Sequence, residues 1–288
     1  MIGSYSLKEL LNKYGVDYRK VITNNDRVLT YGEYEEINKV LDYLINEKHV
    51  PVKSIEECPS IMYFNVNSIE ENYNFLINNN INKEDINYTL SVLNTEPNIL
   101  KETYEYLLEN YGIDRIRRTL SVLTQSVSRI KEIEKILDNK DLVMSAAYNF
   151  NLNIDEIKRI IEVCKENNIE ITGSVFLKHA KQLESSIEFL KNNYGLDYVK
   201  PLIIIYSKEH LKEVFDWLEE HKILEYIKNS YSILSLKLDE IKDRAEYINS
   251  IGESLVTSNG KFNSIFGMSK KNYLKRIEQN ENKKEVRI

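Results

Sequence analysis

Five basic residues crowd two consecutive segments of the sequence: Arg115, Arg117 and Arg118, then Arg129 and Lys131. Guanidinium and ammonium groups at that density can grip phosphate oxygens. Lys200 joins them by position, because Arg118 and Lys200 each stand two residues ahead of a recurring apolar quartet. Asp114 and Glu132 lie beside the same cluster, so ordinary surface arginines balanced by acid are the competing reading. A second pattern is a column of lysines, Lys101, Lys131, Lys158, Lys212 and Lys242, broken by Glu70 and Glu184. Such a column could track phosphates. Four residues further on stand Glu105, Lys135, Glu162, Asp216 and Glu246. Opposite charges at that spacing support a helix by only about 0.2–0.5 kcal/mol a pair, so a neutralised, solvated face competes here too.

The residue types that catalyse are sparse. His210 and His221 are eleven residues apart, on one side of a helix but about three turns distant, too far to share a metal ion. Neither His49 nor His179 has a Cys or His cluster around it, and no HExxH or GxSxG motif is present. Cys58 and Cys164 form no CxxC pair and read as two reduced thiols. The expectation is a non-enzyme with no metal, no cofactor and no evident small-molecule substrate.

Nine glycines and four prolines in 288 residues are roughly a third of the ordinary share of about 12%. So few turn-formers disfavour sandwiches, barrels and glycine-rich nucleotide loops. With 42% hydrophobic and 29% charged residues the chain has the means to fold. The formal charge of −6 argues against a generally basic coat. Residues 59–260 carry 23 Lys and Arg against 32 Asp and Glu. The start, Met1 to Lys8, lacks a basic stretch followed by an apolar run, and the longest apolar run, Leu202–Tyr206, is far below the ~18 residues of a membrane span. A cytoplasmic location without membrane insertion is expected.

The elements that position these residues repeat. Leu90-Ser91-Val92-Leu93 and Leu120-Ser121-Val122-Leu123 are identical and thirty residues apart. Related quartets begin at Val28, Ser60, Ala147, Ser174, Leu202 and Tyr231. Nine or ten residues after each quartet begins comes an aliphatic anchor: Ile37, Ile69, Leu100, Ile130, Ile157, Leu183, Leu211 and Ile241. Six and seven residues past each anchor is an apolar pair, from Tyr43-Leu44 to Tyr247-Ile248. That spacing is one face of a 3.6-period helix. It predicts helices over 67–80, 97–111, 127–139, 154–168, 181–194, 208–222 and 238–251, each preceded by a short helix carrying the quartet. Asp85, Asp114, Asp141 and Asp197 are candidate caps of the short helices, and Gly112, Gly195 and Gly252 candidate C-terminal residues. The fold class is all-α, an α-solenoid of about eight two-helix repeats of roughly 30 residues. Residues 1–27 form a partial repeat or cap, 28–252 the repeats, and 253–288 a C-terminal cap and polar tail.

In period and local pattern the repeats resemble the mTERF family, the mitochondrial transcription termination factor-like helical-repeat proteins. The likeness lies in Cys58-Pro59-Ser60-Ile61-Met62 leading to Phe75-Leu76, in Glu96-Pro97-Asn98-Ile99-Leu100 leading to Tyr106-Leu107, and in Tyr206–Leu211 leading to Trp217-Leu218. The resemblance covers about residues 28–275 and implies a curved superhelix that binds nucleic acid. It transfers no binding residues, since the family has no fixed contact motif. The expected function is a non-enzymatic binding protein for nucleic acid through Arg115, Arg117, Arg118, Arg129, Lys131 and Lys200. The alternative is a protein-interaction scaffold that uses an acidic, tyrosine-bearing surface.

Overall fold

The computed structural model describes residues 4–24, 33–149 and 152–285. The protein is all-α: among the described residues there are sixteen α-helices, a series of short 3-10 turns and no β-strand beyond a single bridge between Val256 and Phe262. The chain divides into two compact units, Met1–Ile154 and Asp155–Ile288.

The anchors explain the helices. All eight are fully buried, from Ile37 to Ile241, and so is the second member of nearly every apolar pair, with Leu137 the least enclosed. The helices they define run Val66–Asn78, Pro97–Tyr111, Val127–Glu134, Ile154–Glu166, Ala180–Asn193, Lys208–Glu220 and Leu238–Ser250. Only the third departs much from its predicted span. It stops at Glu134, and Asn139 at the end of the predicted span caps the next helix instead, its side chain accepting the backbone N–H groups of Asp141 (2.9 Å) and Leu142 (3.1 Å). Asn65, Ser126 and Ser207 cap three of the long helices in the same manner. Asp85, Asp114 and Asp141 do not cap; they sit inside the first turns of their helices, where negative charge meets the positive end of the dipole. Gly112 and Gly195 end their helices at φ +81° and +89° with ψ near 160–173°, a region almost closed to residues with a Cβ.

The quartets depart from expectation. Most do not continue a short α-helix; they form 3-10 turns of their own, at Pro59–Tyr63, Leu90–Asn94, Leu120–Thr124, Gly173–Leu177 and Ser232–Ser235. Cys58, Thr89 and Thr119 break the helix before the first three, at φ between −117° and −139° and ψ between 53° and 62°. Their carbonyls then accept from Ile61, Val92 and Val122 at 3.0–3.2 Å, the three-residue closure of a 3-10 turn. In the first three this tight winding buries the first, third and fourth residues, as in Leu90, Val92 and Leu93, and turns the second outward. That second residue is a serine at Ser60, Ser91, Ser121 and Ser174, and the turn Ser232–Ser235 opens on one. The quartet at Val28 and the last residue of the one at Ala147 lie outside the described residues.

Within the first unit, the turn Pro59–Tyr63 packs on Leu90–Asn94, and that turn on Leu120–Thr124. Each long helix also packs on the turn that follows it, and polar side chains fasten the two. Asn72 Nδ2 donates to the carbonyls of Leu93 (3.2 Å) and Thr95 (2.6 Å), and Thr103 Oγ1 to that of Gln125 (2.7 Å). In the second unit Ser186 Oγ donates to Tyr206 O (2.7 Å), His210 Nε2 to Leu234 O (2.8 Å), and Arg244 Nη1 to Ile265 O and Met268 O (both 2.7 Å). Asn72, Thr103, Ser186 and Arg244 all stand three residues past an anchor and are nearly or wholly enclosed.

Two substitutions test this packing. Leu107→Ala removes a fully buried side chain and is expected to cost about 2–5 kcal/mol. Thr103→Val keeps the shape but leaves the Gln125 carbonyl without its donor, at about 1–3 kcal/mol. Denaturant unfolding reads both. A Thr103→Val protein as stable as the parent would show that this hydrogen bond holds nothing together.

Candidate functional site

The six basic residues singled out by sequence do not share one setting. Arg115, on the short helix Ile113–Arg118, donates through Nε to the Asp141 carboxylate at 2.7 Å, and this bond holds the Asp141 carboxyl below the usual range. Arg117 is half-buried and donates through Nη2 to the Asn80 carbonyl at 2.8 Å. Arg118 is exposed, and among the described residues it has no ion pair. Lys131 lies 5.0 Å over the ring of Tyr106. Tyr106 and Tyr111 both donate to Glu134 at 2.6–2.8 Å, and burial pushes the Tyr106 hydroxyl up to about 12, helped by that carboxylate. Lys200 belongs to the second unit, exposed just ahead of Pro201.

Arg129 works inside the protein. It precedes its anchor by one residue, as His210 does, and its Nη2 donates to the carbonyls of Asn149 (3.3 Å) and Leu152. Burial lowers its pKa, yet a guanidinium stays charged at any physiological pH. It fastens the helix Val127–Glu134 to the end of the helix Lys140–Tyr148 and the loop beyond.

Arg117 and Arg118 are the two that face a concave surface. They line a cleft of about 530 Å³ with Glu57, Asp85, Tyr88 and the turn residues Leu90 and Ser91. A second cleft of about 690 Å³ is lined by Asn94, Glu96, Ile99, Thr124 and Gln125. Ser91, Ser121 and Tyr148 line both, so the two are parts of one groove over the stacked turns. The floor is hydroxyl and amide. Asn94 Nδ2 donates to Ser60 Oγ (2.9 Å), Thr124 Oγ1 to the Ser121 carbonyl (2.8 Å), and Gln125 Nε2 to Thr124 Oγ1 (2.9 Å). Tyr88 is 92% exposed and Tyr148 47%, unusual for rings on helices whose other apolar residues are covered.

The arginines are visible in the sequence as a charge cluster; the groove they line is not. Ser91 and Ser121, the second residues of the two identical quartets, carry the signal, since both line this surface. Cys58 also lines the groove, and burial raises its thiol pKa. Among the described residues no group of three His, Cys, Asp or Glu could hold a metal ion, and no helix is long and apolar enough to cross a membrane.

Arg129→Met tests the internal role. It is expected to destabilise the protein by about 1.5–3 kcal/mol, because the carbonyls of Asn149 and the buried Leu152 lose a charged donor. Thermal unfolding checks this, and an unshifted midpoint would return Arg129 to the surface residues. Compared with known proteins, the chain matches no family model and no curated protein.

Proposed function

We propose that the chain is a non-enzymatic binding protein, an α-solenoid of about eight helical repeats, and that the groove of its first unit holds nucleic acid. The buried anchors and the stacked turns support the solenoid. The resemblance of the repeats to the mTERF-like pattern supports the same partner class. One observation carries the binding site: Arg117 and Arg118 stand side by side in a concave, polar-floored groove, and Arg118 has no ion pair among the described residues. A guanidinium in that setting is poised for a phosphate oxygen. Arg115 shares the short helix of Arg117 and Arg118 but is paired with Asp141, while Arg129 holds the wall of the groove at Asn149 in place.

A protein-scaffold reading draws on a different surface. Leu177, Leu196 and Leu202 of the second unit are 50%, 67% and 45% exposed, and the segments Gly173–Leu177 and Pro201–Ile204 touch. Exposed leucines on adjoining segments suit a protein partner better than a phosphate backbone.

Fluorescence anisotropy with labelled oligonucleotides, titrated from low to physiological salt, tests the nucleic-acid reading. Binding is expected at low salt, and Arg118→Gln is expected to weaken it and flatten the salt dependence by about one phosphate contact. Oligonucleotides that do not bind at low salt would pass the case to the scaffold, with the leucines of the second unit as the surface to mutate next.

A further inference from the structure

We infer that the occupant of the groove is a single-stranded segment, its bases stacked on Tyr88 and Tyr148 and its phosphates met by Arg117 and Arg118; this rests on the nucleic-acid reading above. Size argues first. Clefts of about 530 and 690 Å³ are in the range of pockets that enclose small molecules. Splayed nucleotides fit such a space, whereas the double helix is too thick to enter it. Base faces in a duplex are also closed by their own stacking, so a tyrosine at the rim has nothing to cover.

The rings argue second. Tyr88 closes the helix Lys83–Tyr88 and is followed at once by the fixed break at Thr89. Tyr148 closes the helix Lys140–Tyr148. Each ring is therefore carried on an ordered backbone and still presents most or half of its surface to solvent, and both line the Arg117–Arg118 cleft. Stacking platforms beside a few cations are the means by which proteins hold unpaired strands.

Charge argues third. Glu57, Asp85 and Glu96 line the groove with the two arginines. Such a mixed rim gives a weak field for the dense phosphates of a duplex, and leaves stacking and the hydroxyl and amide floor to supply the binding.

The test uses the full chain, one labelled single strand of about a dozen nucleotides, and the same strand annealed to its complement. The single strand is expected to bind at least about ten-fold more tightly than the duplex, with log K falling against log salt at a slope near −1.4, the value for two phosphates on a single strand. Tyr88→Ala and Tyr148→Ala are each expected to weaken it by roughly ten-fold at unchanged slope, and Tyr88→Phe and Tyr148→Phe to restore it. Tyr88 is almost wholly exposed, so its removal leaves the fold intact as judged by circular dichroism. Equal affinity for the duplex, or alanine variants that bind like the parent while Arg118→Gln still weakens, would overturn the single-strand inference and leave the nucleic-acid reading standing. No binding of either oligonucleotide would overturn both.

Discussion

A 3-10 turn buried in a protein interior ends in carbonyls that its own backbone leaves unsatisfied, and an unpaired buried carbonyl is costly. This constraint organises the protein. At junction after junction the long helix supplies a donor to the turn that follows, through the residue one before its anchor or three after it. Asn72, Thr103, His210 and Arg244 act this way at 3-10 turns, and Arg129 and Ser186 do the same just past the short helices Lys140–Tyr148 and Pro201–Ile204. At the junction served by Glu156 the sense is reversed, and the carboxylate accepts the Ala180 N–H at 2.6 Å. The two positions are four residues apart, one turn of helix, so both look toward the same neighbour. Apolar contact alone would let neighbouring helices slide; a hydrogen bond to a named carbonyl fixes the register.

The groove follows from that arrangement. Because the turn carbonyls are satisfied from behind, the outward side of each turn is left to its second residue. Ser91 and Ser121 then share one surface with Asn94 and Thr124. The same tight winding places the ends of the short helices at the rim, which is where Tyr88, Arg117 and Arg118 stand.

Much of this was legible in the sequence, and the limits have physical causes. Anchors and apolar pairs reveal the long helices because burial imposes the 3.6-residue period, and Leu100, Leu107, Leu211 and Leu218 are all fully covered. The 3-10 turns were not legible as such. A run like Leu90–Leu93 is equally apolar in either winding, and the break at Thr89 is a matter of ψ, which composition does not encode. The fastening residues were hidden for another reason. A function filled by Asn, Thr, Arg, Ser or His leaves no single-letter pattern, and Arg129 looks like a surface cation until its carbonyl partners are seen. Arg117 and Arg118 stood out as charges; Tyr88 and Tyr148 did not, because tyrosine is as ordinary in a covered position as in an open one.

The direction of the fastening bonds has a consequence for biosynthesis. In each of these six fastenings the donor precedes its acceptor in the chain, by 20 residues for Ser186 and Tyr206 and by 24 for Arg244 and Met268. A ribosome makes the donor first. Each turn leaving the exit tunnel thus meets a helix already equipped for its carbonyls, and assembly can proceed from the amino terminus without waiting for distant sequence. Reversing the order of two repeats by circular permutation would preserve many contacts and forfeit this head start.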